Sequence, residues 1–180
     1  FEGCTPRFLN PEILLPESTF ILADIHMHDN TFLEWSTTNE TGILDYDIEQ
    51  FKWNHWVSVG QVRGKGRETK NKYSFKVPLH SGINKFRVTQ TDNSGEKRIS
   101  KEVTQESSIR EFSMTPTSVR DDIFFYSGGK KKKTRYEVFD AFGNLLKVGF
   151  ADHVDCRNIV NGIYYMNYDN KNEKFLKASE

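Results

Sequence analysis

Apolar and polar residues alternate along most of the chain, as they do in strands that bury one face of a sheet. The stretch 19–29 shows the pattern first, because Ile21, Ile25 and Met27 fall on one face and acidic and histidine side chains on the other. No convincing repeat of about 3.6 residues, the period of an amphipathic helix, competes with this alternation. The pattern therefore predicts strands rather than helices.

Short alternating segments follow one another, separated by turn residues. One separating stretch, 92–96, contains Asn93 and Gly95, which tolerate positive φ, and another, 63–71, is polar throughout. Short strands at this spacing are typical of an antiparallel β-sandwich. The further strands predicted in the first half cover 31–37, 43–51, 56–62, 72–77, 84–90 and 97–103. Those predicted in the second half cover 110–116, 122–127, 134–141, 144–150, 155–159, 162–168 and 173–178.

The order of segments predicts an all-β chain with two small antiparallel β-sandwich domains of the immunoglobulin or fibronectin kind in tandem. Residues 1–17 hold three of the five prolines and are predicted to form an extended N-terminal segment, because proline fixes φ and lacks a ladder donor. The first sandwich is predicted over 18–104 and the second over 108–180. Aromatic residues make up 13% of the sequence and suit half-buried pleated faces.

Charge and hydropathy exclude two classes of function. The 25 basic and 25 acidic residues balance, and neither half of the chain has the one-signed field expected of a nucleic-acid-binding protein. No apolar run approaches the roughly 20 residues that span a bilayer as a helix. We therefore expect no nucleic-acid partner and no membrane-spanning segment.

Catalytic chemistry has no specific support in the sequence. There is no HExxH, CxxC or phosphate-cradling glycine loop, so we predict that the chain is not an enzyme and has no cofactor. Asp24, His26 and His28 share one strand face and could ligate zinc, but a polar outer face explains them better. Cys4 and Cys156 lie far apart in the sequence, and whether they form a disulfide stays open.

Two further clusters have a structural and a functional interpretation. Lys130 to Lys133 with Arg135 follow two glycines, which is typical of a solvated hairpin tip, although such a cluster can also contact an anionic surface. Trp53 and Trp56 are either packed residues or a platform on which a sugar ring stacks.

Residues 18–104 resemble a fibronectin type III-like module that is common in secreted proteins of the Bacteroidetes. The resemblance lies in a Trp-Ser strand followed by a glutamate, a second tryptophan before spaced glycines, and a closing aromatic-Arg strand with an Asp-x-x-Gly turn. The matching residues are Trp35, Glu40, Tyr46, Trp56, Gly60, Gly64, Tyr73, Phe86, Arg87, Gln90, Asp92 and Gly95.

Residues 108–180 resemble the type A C-terminal sorting domain of the type IX secretion system. The motifs "VFDAFG", "GIYY" and "KFLK" follow in the order of that family, although "SMTPTS" lacks its Pro-Asn pair. The residues that the resemblance assigns to sorting and partner binding are Pro116, Asp140, Gly143, Gly162, Tyr164, Lys174 and Lys177.

The resemblance implies a non-enzymatic secreted or cell-surface protein that passes through the periplasm and is associated with the outer membrane. Its partners would be the type IX translocon and the outer-membrane shuttle barrel, both recognising residues 108–180, and a surface polysaccharide or adhesin is a further expected partner. Two alternatives stay open at this point. The chain could be an accessory component of the secretion or gliding machinery that retains its C-terminal domain for docking, or a carbohydrate-binding surface module that uses Trp53 and Trp56.

Overall fold

The computed structural model describes residues 21–92 and 94–178, and within these ranges all regular structure is β-strand. The strands are β1 Ile21–His28, β2 Phe32–Thr38, β3 Asp45–Lys52, β4 His55–Arg63, β5 Asn71–Lys76, β6 Gly82–Thr91, β7 Lys97–Ile99, β8 Val103–Ser107, β9 Phe112–Thr115, β10 Ser118–Val119, β11 Asp122–Ser127, β12 Lys130–Lys131, β13 Thr134–Asp140, β14 Leu145–Ala151, β15 His153–Asp155, β16 Gly162–Tyr168 and β17 Lys171–Lys177. The structure confirms the predicted all-β class.

The described chain forms two compact units. The first contains the described residues up to Glu49 together with Ser58–Lys76 and Arg87–Val103. The second contains Gln50–Val57, Val77–Phe86 and the described residues from Thr104 onward. The predicted domain limits at 104 and 108 stay a prediction.

The first unit is built on the antiparallel sheet β1-β2-β5. Trp35 from β2 stacks on Tyr73 from β5, with ring centroids 5.2 Å apart, and meets the edge of Tyr46 from β3 at 5.8 Å. All three rings are buried, so Trp35 lies in the core of this unit. Fully burying one such ring stabilises a fold by roughly 1.5–3 kcal/mol.

The second unit packs two sheets face to face. One has the order β10-β17-β16-β13-β14, and the other joins β12, β11 and β15 with β9 paired to β11. Pairing is antiparallel except between β10 and β17, which run parallel. The core between the sheets consists of Phe112, Met114, Val119, Ile123, Phe125, Val138, Val154, Cys156, Tyr164, Met166, Tyr168 and Phe175.

The structure departs from the strict alternation predicted at the start of β1. The register shifts between Leu22 and Asp24, and Ile21 is 59% exposed although the alternation placed it on the buried face with Ile25. An extra residue in one strand reverses the faces on one side of the irregularity, so the inward assignment of Ile21 was wrong while that of Ile25 was right.

Two other expectations are corrected. The strand predicted over 97–103 is two strands, β7 and β8, and both pair with β6. Lys174 and Lys177 in the last predicted strand are typical of a sheet edge, but β10 pairs with this strand, β17, at Leu176 and Lys177. A two-residue strand next to Pro116 is too short to be recognised from alternation.

Candidate partner-binding site

The motif at residues 140–144 forms a tight turn between β13 and β14. The Gly143 amide donates to the Asp140 carbonyl at 3.1 Å, and the Asp140 amide donates to the Asn144 carbonyl at 3.0 Å. Gly143 has φ of +85°, where a side chain would be strained, so glycine is required there. The turn explains why the sequence pattern contains both an aspartate and a glycine.

The Asp140 carboxylate fastens this turn. One oxygen accepts hydrogen bonds from the amides of Phe142 and Asn144, at 2.9 and 2.8 Å, and the other accepts one from the Asn144 side chain at 2.8 Å. These donors, led by the Asn144 side chain, hold the pKa of Asp140 below its usual range. Phe142 itself is 91% exposed at the tip.

Gly162 and Tyr164 open strand β16. Tyr164 is buried, stacks on Phe175 at 5.5 Å and donates its hydroxyl to the Val160 carbonyl at 2.7 Å. A methyl group at Gly162 would meet nothing closer than 3.7 Å, which is an ordinary contact. Tyr164 therefore has a packing role, whereas neither a steric limit nor a positive φ requires a glycine at 162.

The remaining sorting residues lie on or near β17. Lys174 is exposed and faces Tyr165 across the β16–β17 pair. Lys177 donates its ammonium to the Arg120 carbonyl. Pro116 is exposed, follows a cis peptide bond and lies between β9 and β10. The structure thus places the seven predicted residues around the five-stranded sheet of the second unit, but not in one cluster.

The outer face of that sheet was not predicted, although it is the most unusual feature of the second unit. Across the paired strands Phe139 faces Tyr165, and Ile163 faces Leu176. β14 forms one edge of the sheet, and no strand in the described part of the chain pairs with its free side. The exposed apolar residues of these strands are Leu145, Leu146, Val148, Phe150, Ile163, Tyr165 and Leu176. We call them the outer apolar face.

Trp53 and Trp56 lie at the hairpin that joins β3 to β4. Trp53 and Asn54 form the two-residue connection, and both have positive φ, 54° and 62°, as a type I′ turn requires. The Lys52 ammonium lies 3.9 Å from the centroid of the Trp53 ring, while Trp56 meets Phe51 edge-on at 5.4 Å. Both indoles are half-buried, and their role in sugar binding stays a prediction.

Metal-binding side-chain clusters and membrane-spanning helices are both absent from the described ranges. Among the residues from 21 to 92 and from 94 to 178, no group of three or more His, Cys, Asp or Glu side chains could hold a metal ion. No helix in those ranges is long and apolar enough to cross a bilayer. Cys156 is a buried free thiol, and Cys4 lies outside the described residues.

Comparison with known proteins gives likeness at the level of structure only. No family model and no curated protein matches the chain. A tetra-tandem repeat from the extending region of a large adhesion protein is 13% identical with a TM-score of 0.35, over 86% of this chain and 49% of that one. The FN1–FN3 domains of chicken CNTN1 are 9% identical with a TM-score of 0.29, over 88% and 64%. The fibronectin(III)-like modules of CbhA from Clostridium thermocellum are 12% identical with a TM-score of 0.28, over 88% and 94%.

The chain thus spans about half the length of the first of these structures. Two of the three are fibronectin III-like modules by description. Sequence identity and TM-score are both low for these structures, so our fold assignment rests on the strands and sheets described above.

Proposed function

We propose that this chain is a non-enzymatic secreted or cell-surface protein exported by the type IX secretion system. Residues 108–180 act as its sorting module, which the outer-membrane translocon and the shuttle barrel recognise. The observation that supports this proposal best is the outer apolar face, because it lies on the sheet around which the motif residues are arranged.

A partner would gain two kinds of contact from this sheet. The exposed side chains of the outer apolar face would lose water on binding, which contributes about 25 cal/mol for each Å² of apolar surface buried. The free side of β14 also offers backbone donors and acceptors to an added strand. Lys147 is the only charged residue among the seven of β14, and its ammonium donates to the carbonyl of Asp155 on the other sheet, so its charge does not lie along this edge.

Export of a face-directed variant tests the proposal. In a bacterium that has a type IX system, Val148→Glu combined with Ile163→Glu should accumulate in the periplasm, while the unmodified chain reaches the surface. Both positions are exposed, at 67% and 47%, so the core stays intact. Cell fractionation followed by blotting measures the distribution.

The matched control is Ile83→Glu combined with Ile99→Glu. These strand residues are also exposed, at 60% and 52%, but belong to β6 and β7. The control should be exported normally. The circular dichroism spectrum of the face-directed variant should be unchanged. If this variant is nevertheless exported to the same extent as the control, recognition does not use this face.

The two alternatives remain predictions. Retention of the uncleaved chain on the purified translocon would support the accessory role.

Trp53→Asn tests carbohydrate binding, because asparagine tolerates the positive φ at this position while the ring is removed. Unchanged retention of this variant on a polysaccharide that the unmodified chain binds would exclude a role for the Trp53 ring.

A further inference from the structure

The second unit contains a cavity of about 230 Å³ that none of the sorting residues lines and that shares only Phe150 with the outer apolar face. Its lining residues all belong to this unit. Four of them are basic, namely Lys52 on β3, Lys132 and Lys133 in the β12–β13 connection, and Arg135 on β13. Only part of the basic run 130–135 faces the cavity, because Lys130 and Lys131 do not line it.

The basic side chains around this cavity are not held in ion pairs. Within the described part of the chain none of the four forms a salt bridge, and the Lys52 ammonium lies over the face of Trp53. Burial and the nearby positive charge of Arg135 lower the pKa of Lys52, although Glu137 and Asp169 act in the opposite direction. Like charges held together at a cavity attract a compact anion.

The lining contains a single carboxylate among the described residues, Asp169, and it is already occupied. It accepts a hydrogen bond from the Ser81 amide at 2.9 Å and another from the Ser81 hydroxyl, and its own amide donates to the Thr134 hydroxyl at 3.2 Å. Asp169 is thus fixed as a structural connection. The four basic side chains outnumber this carboxylate and leave the cavity with a net positive charge. The neighbouring His80 adds little to it, because burial lowers the pKa of its ring.

The rest of the wall is suited to an organic group. Ile109, Phe112 and Phe150 line the cavity, and Phe150 is 66% exposed. A phosphate monoester carries about −1.5 to −2 charges at neutral pH and takes hydrogen bonds from several donors at once, including the two-pronged arginine group. We propose that this cavity binds a phosphate monoester attached to an organic body, with the basic side chains on the phosphate and the apolar wall on the attached group.

Calorimetry with glucose 6-phosphate tests this proposal on the full chain, with glucose as the uncharged comparison. Vesicles of phosphatidylcholine with and without phosphatidic acid form the second arm, which separates a free phosphorylated ligand from a lipid headgroup. Lys133→Gln should weaken binding about tenfold, because a hydrogen bond to a charged group contributes at least that factor. Arg135→Gln should have at least the same effect.

Lys130→Gln is the matched control, since it removes one charge from the same run without touching the cavity wall. Its dissociation constant should stay within about twofold of that of the unmodified chain, as is usual for an exposed charge. Thermal unfolding verifies that each variant is folded, and Lys133, being exposed in a connection, gives a usable variant even if Arg135→Gln unfolds.

Selective weakening by Lys133→Gln supports the proposal in either arm, and the arm in which it occurs identifies the source of the phosphate. Equal weakening by Lys130→Gln would mean diffuse attraction to a basic surface and would overturn it. Binding of glucose as tight as that of glucose 6-phosphate, or no binding in either arm, would overturn it too. None of these outcomes depends on secretion, so this proposal and the proposed export route can fail separately.

Discussion

The carboxylate of Glu40 is the most heavily hydrogen-bonded side chain of the first unit. Although Glu40 is only 4% exposed, its oxygens accept hydrogen bonds from Tyr46 at 3.0 Å, from Tyr73 at 2.7 Å, from the Gly66 amide at 2.8 Å and from Thr37. Burial alone would raise the pKa of Glu40, but these donors outweigh it and lower the pKa. The two tyrosines show the reverse effect, since burial and the carboxylate raise their pKa values. The cluster therefore stabilises a charged Glu40.

The first prediction concerns acid stability. Because the pKa of Glu40 is lower in the folded than in the unfolded chain, its contribution to stability is fully present above the unfolded value of about 4.3 and is lost as the pH falls through the folded value. Glu40→Gln should cost about 1–3 kcal/mol at pH 7, because it leaves buried donors poorly matched. It should also flatten the decline in stability below about pH 4.

Urea unfolding at several pH values between neutral and acid measures this effect. Glu68→Gln is the control, because Glu68 is exposed. A variant at position 40 that keeps the full acid dependence of the unmodified chain would show that other carboxylates cause it.

The second prediction concerns Cys156. Burial raises the pKa of this thiol to about 11, so very little thiolate exists at pH 8. Iodoacetamide should label Cys156 slowly in the folded chain and rapidly in urea, as located by peptide mass spectrometry, which also separates it from Cys4. Rapid labelling of the folded chain would show that the thiol is accessible after all.

At the scale of elements, the existence of most strands could be predicted from alternation, but their exact partners could not. Alternation is a local property, and it predicted the strand that became β5 because Tyr73, Phe75 and Val77 recur every second position. The shift between Leu22 and Asp24 depends on the register with β2, and the parallel β10–β17 pair joins strands that are distant in the chain, so neither follows from local alternation. The outer apolar face was missed because Leu145 and Leu146 are adjacent, so alternation could not indicate which face of β14 is inward.

The third prediction compares the stability effects of alanine at two glycines, one from the fibronectin-like pattern and one from the sorting-domain pattern. A methyl group at Gly64 would lie 2.3 Å from the backbone oxygen of Leu44, whereas one at Gly162 would lie 3.7 Å from its nearest atom. Gly64→Ala should therefore destabilise the chain by about 2 kcal/mol or more, since backbone must move, and Gly162→Ala by less than about 0.5 kcal/mol.

Thermal and urea unfolding of both variants give the comparison. Equal losses would contradict the steric explanation. If Gly162→Ala keeps its stability but is not exported, the glycine in this motif serves recognition rather than folding.

At the scale of the whole molecule, balanced charge and an exposed apolar face act together. The sequence has a formal net charge of zero and an isoelectric point near 7.1. Charge repulsion between copies is therefore weakest at neutral pH, where the outer apolar face is free to associate. Composition alone indicates the first of these two facts, but only the structure reveals the second.

The fourth prediction follows from that combination. Solubility, measured by light scattering as a function of pH, should pass through a minimum close to pH 7. Val148→Thr combined with Phe150→Thr leaves the charge unchanged and should raise solubility at this minimum, whereas Ile83→Thr should have little effect. A minimum that is unchanged in the face-directed variant would mean that another surface governs association.

The outer apolar face is assembled from two hairpins, β13–β14 and β16–β17, which are joined in one sheet by the pairing of β13 with β16. Each hairpin is local and can form early, but the face does not exist until the longer-range pairing closes. If the proposed export route holds, a receptor that binds across both hairpins would therefore bind the folded chain and not the unfolded one. In that sense the surface would work as a quality-control checkpoint, passing completed molecules and leaving unfinished ones behind.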